Sequence, residues 1–155
     1  YFGPAFTNAL ALLADQPTGS RKPGFLEADQ LFGDWLLFPR DLAILALVND
    51  GRWQIEPHPV DWTIMPPLAR PLAVRRAPHA NLNVVLLASA ADCFAVAMPH
   101  QTEGHYSVYL SLFGRDLKAG ETARAHARLV VAVGMTEAQT IELHRAYQTE
   151  LRGRR

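Results

Sequence analysis

The sequence is poor in several features that define common protein classes. Cys93 is its only cysteine, which excludes an internal disulfide and a zinc site built from several cysteines. Its apolar neighbours predict a buried, inert thiol. The longest apolar run covers residues 42–48, far short of the roughly 20 residues that a membrane-spanning helix needs. Fifteen basic residues balance fifteen acidic ones, so the chain lacks the cationic excess with which proteins neutralise nucleic-acid phosphates or anionic membranes. We therefore predict no nucleic acid and no membrane among its partners.

What is present is the composition of a folded globular protein. Hydrophobic residues make up 49% of the 155 residues and charged residues 19%. Because that length suits one domain, we expect residues 1–155 to form a single β-sandwich domain or the C-terminal part of a larger one. The first residue is Tyr1 and not Met, so a missing N-terminal segment or domain stays open, as does the choice between cytoplasm and export.

The first third of the chain mixes helix and strand signals. Residues 6–14 favour a short helix by propensity, with a strand as the alternative. Residues 31–38 predict a strand that ends at Pro39, because proline suits the end or edge of a strand. Residues 41–48 predict either a capped helix or a buried strand, since a short apolar run fits both.

The next segment is dominated by turn residues and prolines. Asn, Asp and Gly at 49–51 predict a turn, and the alternation at 52–56 predicts the returning strand of a hairpin. Prolines recur between residues 57 and 78, and proline donates no hydrogen bond to a sheet. We therefore expect mostly irregular structure there, with one short strand at residues 72–74.

The C-terminal half alternates more clearly. Strands are predicted at residues 83–90, 93–98, 105–113 and 122–133. Their short connections predict an antiparallel meander with one buried face. In the last strand Leu129 and Val131 share the apolar face, while Arg124, His126 and Arg128 share the polar one. This cationic stripe is interpreted as either a solvated face or a site for an anionic ligand.

A C-terminal helix completes the predicted fold. Thr136 is a suitable N-cap, and Gln139 three residues later completes a capping box. Leu143, Tyr147 and Leu151 recur every four residues and form a stripe that can dock on a sheet. The predicted fold class is mainly β: an antiparallel β-sandwich with a short N-terminal helix and a C-terminal helix.

A cluster of titratable residues interrupts the predicted strands. His100, Glu103 and His105 fall within six residues, so they could supply a general acid and a general base near neutral pH. Two alternatives remain: a polar loop that happens to contain histidines, or a metal held by the two imidazoles. Because no third ligand is evident, we predict His105, Glu103 and His100 as catalytic candidates, with no metal and no cofactor.

Aromatic residues beside charged ones form a second set of candidates. Aromatic faces cover the apolar C–H patches of sugars, while charged side chains bind hydroxyl groups. Large aromatics are also ordinary core residues, so a structural role is the alternative for each tryptophan, Trp53 included. The predicted saccharide-binding residues are Trp35, Arg40, Asp41, Trp62 and Tyr106.

The C-terminal two-fifths resembles a known family. Two strands at residues 92–99 and 106–113, the turn Lys-Ala-Gly-Glu at 118–121, the polar-alternating strand and the final helix occur in the order seen in galactose-mutarotase-like supersandwich domains. These domains occur in aldose epimerases and as modules of polysaccharide-processing enzymes. The resemblance implies a carbohydrate-associated function. Since the family's epimerases use a Glu base and a His acid, Glu103 and His105 are the nearest candidates here.

Two hypotheses about function follow. In the first, the chain is a carbohydrate-associated sandwich that binds or processes a saccharide with an acid/base pair, as part of an epimerase, lyase or hydrolase system. In the second, it is a non-catalytic structural or interaction module that packs against a partner chain or domain.

Overall fold

Nine strands form two sheets in the part of the chain that the computed structural model describes, which is residues 3–14, 23–99 and 106–154. One sheet is antiparallel and has the order β2 (Gly24–Ala28), β1 (Asn8–Leu13), β5 (Leu68–Ala77), β6 (Leu82–Ala88), β9 (Ala127–Val133). The other has the order β4 (Thr63–Ile64), β3 (Trp35–Pro39), β7 (Cys93–Pro99), β8 (Tyr109–Leu112). Its β3 and β4 are parallel. The mainly β, sandwich-like architecture is thus confirmed, but the second sheet is mixed.

Three apolar clusters divide the molecule into layers. The first lies between the sheets and includes Leu36 and Phe38 of β3, neither of which is exposed to solvent. The second lies between the five-stranded sheet and helix α2 (Glu137–Gly153). The third covers the outer face of the four-stranded sheet with the segment that contains the short helix α1 (Leu45–Val48). Burying each large apolar side chain contributes about 1.5–3 kcal/mol.

The C-terminal helix is as predicted. Thr136 accepts a hydrogen bond from the backbone N–H of Gln139, and the Gln139 side chain accepts one from the Thr136 backbone, which completes the capping box. Leu143, Tyr147 and Leu151 pack against the five-stranded sheet. No helix within the described ranges combines the length and the apolar character needed to cross a membrane.

The predicted N-terminal helix is wrong, because residues 8–13 form strand β1. Alternate residues of β1 join the clusters on the two sides of its sheet, so Ala11 faces the other sheet and Leu12 faces α2. A strand buried on both faces loses the polar–apolar alternation that distinguishes it from a helix. Among the described residues, the first helical segments along the chain are short: the 3-10 turns Gln30–Phe32 and Leu42–Ile44, and α1.

The proline-rich segment contains more strand than expected. Strand β5 spans ten residues and lies in the middle of the five-stranded sheet. Pro71 is tolerated because the register between β1 and β5 shifts between Leu13 and Ala11, which is where Pro71 lies. Residues 52–56 form no hairpin strand; Arg52–Gln54 is a 3-10 turn after Gly51, which has a φ of +91°.

The predicted meander of three neighbouring strands does not form: β7 and β8 pair antiparallel, but β6 and β9 belong to the other sheet. The tight turn between β6 and β7 passes from one sheet to the other. In this turn the Asp92 N–H donates to the Ser89 carbonyl over 3.0 Å. Strand β9 then returns to pair with β6. The local sequence predicted the strands, but the choice of sheet depends on pairing with distant segments.

The prediction of which face of β9 is buried was also wrong. Leu129, Val131 and Val133 share one face, as predicted, but they are 56%, 55% and 72% exposed. Val130 packs toward α2 instead. Strand β9 is at the edge of its sheet, and among the described residues nothing covers its inner face.

Candidate functional site

A groove of about 520 Å³ lies on the outer face of the four-stranded sheet. We call it the aromatic groove and define it by Trp35, Trp53, Trp62, Phe94, Tyr109, Arg52 and Arg115, which line it. Strand alternation places two of these residues, because side chains two apart share a face. Trp35 therefore shares the outer face of β3 with Leu37, and Tyr109 shares the outer face of β8 with Ser111.

All three tryptophans of the chain meet in this groove. The Trp62 ring lies 5.9 Å from the Trp35 ring and 5.2 Å from the Trp53 ring, each at an interplanar angle of 88°. Such edge-to-face contacts are the favoured geometry of aromatic pairs. Trp35 and Trp62 were predicted as saccharide contacts from the sequence, and the fold brings them together from positions 27 residues apart.

Backbone hydrogen bonds hold the loop that supplies two of these rings. The Val60 N–H donates to the Trp53 carbonyl over 2.8 Å. The Gln54 side-chain amide donates to the Val60 carbonyl over 3.2 Å and to the Asp61 carboxylate over 2.9 Å. The loop thus closes on itself and orders Trp53 and Trp62 beside each other.

Phe94 reaches the groove through an irregularity in β7. The pairing of β7 with β8 shifts register between Cys93 and Ala95, so Phe94 is the extra residue of a bulge. Gly114 packs directly on it: a Cβ on Gly114 would lie 2.9 Å from Phe94 side-chain atoms, and its φ is +32°. Only glycine fits at position 114 without displacing the Phe94 ring.

The arginines of the groove are held by carboxylates. Arg52 Nη2 lies 2.5 Å from Asp50 Oδ2 and 3.1 Å from Asp116 Oδ1, while Arg115 Nη1 lies 2.5 Å from Glu121 Oε1. Hydrogen bonds from Arg52 lower the pKa of Asp50, and those from Arg115 lower the pKa of Glu121. These carboxylates are therefore ionised at neutral pH. The turn at residues 114–116 is ion-paired, although its two charged residues pair with Arg52 and Glu121 and not with each other.

This arrangement suits binding of a polar ligand that has apolar faces. Aromatic rings offer surfaces for C–H groups, and the paired guanidiniums retain N–H donors at the edge. Within the described part of the chain, no cluster of three or more His, Cys, Asp or Glu residues is arranged to hold a metal ion.

Arg40 and Asp41 do not line the aromatic groove. Arg40 Nε lies 2.8 Å from Asp41 Oδ2, and its Nη1 donates to the Ala90 carbonyl over 3.0 Å. The hydrogen bond from Arg40 lowers the pKa of Asp41. Arg40 lines a smaller cavity of about 190 Å³, which shares Phe94 with the groove.

Tyr106 lies near the buried end of the sandwich, with its ring centroid 6.0 Å from the Arg75 guanidinium carbon. Arg75, on β5, is 1% exposed and donates to the Ser107 carbonyl over 2.9 Å and to the Pro99 carbonyl over 3.5 Å. Burial lowers its pKa to about 10. Arg75 was not predicted as a site residue, and an arginine inside an apolar strand is the only signal in the sequence that points to it.

The catalytic candidates His100, Glu103 and His105 lie outside the described residues. The last residue described before them is Pro99, which pairs with Trp35 across β7 and β3. Strand β7 therefore ends beside a groove residue.

Four groove residues were missed as site residues: Arg52, Phe94, Tyr109 and Arg115. Trp53 was noted only as a further aromatic. Tyr109 was visible in the alternation, because it lies with Ser111 on the polar face of its strand, where an aromatic is unusual. Arg115 lies in the Gly-Arg-Asp turn at residues 114–116, which the sequence presents as either an ion-paired turn or a ligand clamp, whereas Arg52 had no local signal. The proximity of the two arginines depends on two loops 63 residues apart in sequence.

No protein-family model, curated protein or solved structure matches this chain, so the galactose-mutarotase-like resemblance stays a prediction from the sequence.

Proposed function

We propose that this chain is carbohydrate-associated and binds a saccharide in the aromatic groove. The observation that supports this most is the meeting of Trp35, Trp53 and Trp62 with Tyr109 on one sheet face, with arginines at the edge. The groove volume of about 520 Å³ falls within the usual range of ligand pockets.

The chemistry of the lining fits a sugar ring. A pyranose presents C–H groups on its faces and hydroxyl groups around its edge, so it needs flat apolar surfaces beside polar groups. The tryptophans provide the surfaces, and Arg52 and Arg115 provide donors at the edge. Trp53 and Trp62 also pack on the third apolar cluster, so these two rings are held in place before a ligand arrives.

Processing of the bound saccharide is a separate part of the proposal. It requires His100, Glu103 and His105, for which the acid/base role remains a prediction from the sequence. An assay for epimerised or cleaved product, run on the wild-type chain and on His105→Ala, tests it. Product from the wild type and none from the variant supports processing, whereas binding without product limits the function to recognition.

The test of binding is calorimetric titration with neutral and acidic oligosaccharides. We expect wild-type binding to weaken about tenfold in Trp53→Ala, because one stacked ring contributes about 0.5–1.5 kcal/mol beyond its buried area. Trp53→Phe should retain most of the affinity. Phe32→Ala, which removes an aromatic that is 45% exposed outside the groove, should bind like the wild type. Absence of heat with every saccharide would refute the proposal.

A second candidate function is supported by β9. Its exposed inner face consists of Leu129, Val131 and Val133, and its only sheet neighbour among the described residues is β6. An open strand edge beside apolar side chains is a template for another strand. In this alternative the chain is a non-catalytic interaction module whose partner is a second copy, paired through β9.

The charges of β9 permit pairing with its own copy. In an antiparallel pair centred on Val130 or Val131, Arg128 lies opposite Ala132 or Gly134 of the copy and never opposite its equivalent. Arg128 is also neutralised within its own chain, because its Nη2 lies 2.5 Å from Glu150 Oε2. Residues 129–133 are uncharged, so self-pairing brings no like charges together.

A further inference from the structure

The charged residues at the edge of the aromatic groove already satisfy one another. Two guanidiniums, Arg52 and Arg115, line the groove, and three carboxylates lie within 2.5–3.1 Å of them: Asp50, Asp116 and Glu121. Two positive charges thus face three negative charges, which leaves one negative charge in excess. Neither arginine is available as an uncompensated cation.

We call this mutual pairing of the charged groups at the groove edge charge closure. From it we infer that the saccharide bound in the groove is neutral and not a uronate. The inference rests on the proposed function and adds the substrate class to it. A uronate carboxylate would have to displace a carboxylate of the protein from an arginine, or bind beside it against the excess negative charge. The protein's own carboxylates lose no translational or rotational entropy when they pair with the arginines. They therefore outcompete a uronate carboxylate for these guanidiniums.

Neutral hydroxyl groups meet no such competition. The bonds from Arg52 to its carboxylates use Nε and Nη2, so among the described residues the two N–H donors of Nη1 are left for a ligand. Arg115 uses Nη1 for Glu121, which leaves Nε and Nη2 without a hydrogen-bond partner in the described part of the chain. A sugar hydroxyl can accept from these donors and donate to a carboxylate oxygen at once, so it adds to the ion pairs without breaking them.

The experiment compares matched saccharides by calorimetry on the wild-type chain. The probes are oligomers of galacturonate, mannuronate and glucuronate, each beside its carboxyl-reduced neutral counterpart of the same linkage and length. We expect at least one neutral oligomer to bind at least tenfold more tightly than its uronate, with little dependence on salt.

Paired variants test the cause of this preference. Asp116→Asn with Glu121→Gln changes the edge from one net negative charge to one net positive charge. We expect uronate affinity to rise about tenfold, the effect of two exposed charge interactions of ordinary size, and to fall again with added salt. Glu142→Gln, which removes an exposed carboxylate on α2 that pairs with Arg145, is the matched control and should leave uronate affinity unchanged.

The outcomes distinguish a failure of this inference from a failure of the proposed function. Failure of every probe to bind overturns the proposed function. Tighter binding of a uronate than of its neutral counterpart overturns the neutral preference and leaves saccharide binding in place. Uronate affinity that does not respond to the double variant, when its thermal unfolding shows it to be folded, overturns charge closure as the cause.

Discussion

His144 shows how one buried polar residue connects helix and sheet. It is 3% exposed on α2, and its Nε2 lies 3.3 Å from the Ala88 carbonyl at the end of β6. Burial, with a smaller contribution from the positive charge of Arg70, lowers the pKa of His144 below its ordinary value of 6.5. The folded state therefore favours the neutral imidazole, which the Gln148 side chain also contacts at 3.4 Å.

This lowered pKa predicts a loss of stability in acid. Below about pH 6.5 the unfolded chain binds a proton at His144 more readily than the folded chain does, so the free energy of unfolding falls with pH down to the folded pKa. His144→Gln, whose amide can still donate to Ala88, should reduce this pH dependence. Urea unfolding at several values between about pH 7.5 and 5.5 measures it, with the exposed His79→Gln as background. Equal slopes in His144→Gln and the wild type would contradict the assignment.

Cys93 is a residue whose burial was correctly predicted from the sequence. It is fully buried, and burial raises the pKa of its thiol to about 11. Its Sγ contacts the Ala95 carbonyl at 3.1 Å. A thiol that is neutral and out of solvent behaves as a small apolar side chain, as expected from its apolar neighbours.

At the scale of elements, α2 is the most local structure in the molecule. Its start is determined by two side chains three residues apart, Thr136 and Gln139, and its docking by an apolar stripe. Both signals lie within the helix's own sequence, so the element was visible in the sequence even though it docks on distant strands. Strand β1 is the reverse case, because its identity comes only from pairing with β2 and β5.

Removal of the cap should destabilise the protein through this helix. Thr136→Ala leaves the Gln139 N–H without its side-chain acceptor and should lower the free energy of unfolding by about 1 kcal/mol. Thr149→Ala is the matched control, because that exposed hydroxyl only donates to the Arg145 carbonyl inside the helix. Chemical denaturation of both variants gives the comparison. A cost at Thr149 as large as that at Thr136 would show that the capping box has no special role.

At the scale of the whole molecule, the two sheets do not cover each other completely. The four-stranded sheet packs on β1, β5 and part of β6, whereas the inner face of β9 stays exposed. The outer face of the same four-stranded sheet bears the aromatic groove. The molecule therefore presents two separate surfaces, an aromatic one suited to a saccharide and an aliphatic one suited to a strand.

The exposed aliphatic face of β9 predicts a dimer that a single charged substitution should dissociate. Light scattering after size exclusion, over a range of concentrations, should show a dimer of the wild-type chain. Val131→Lys should be monomeric, since lysine on an edge strand opposes pairing. Leu31→Lys, at a side chain that is 92% exposed on a 3-10 turn, should leave the dimer intact. A wild-type chain that is monomeric throughout would remove the self-pairing alternative and would not bear on the groove.

Only part of the candidate site could be predicted from the sequence. Trp35 and Trp62 were singled out because they lie beside acidic residues, but nothing in their neighbourhood indicated that they meet. Arg40 and Asp41 had the same kind of local signal, yet they pair with each other outside the groove. Residue type predicts what a side chain can bind, and only packing decides which side chains face one cavity.

The sequence by itself determined the apolar strands β6 and β7, the capped helix α2, the burial of Cys93 and the turn at residues 49–51. All of these depend on neighbours within a few positions, where hydrophobic period, capping and backbone freedom act directly. Only the tertiary structure decided that β1 is a strand, that β5 runs past Pro71, that β6 and β7 divide between two sheets, and that three tryptophans meet in one groove. Each of these depends on pairing or burial against segments distant in sequence, and their contacts exist only once the sheets have formed.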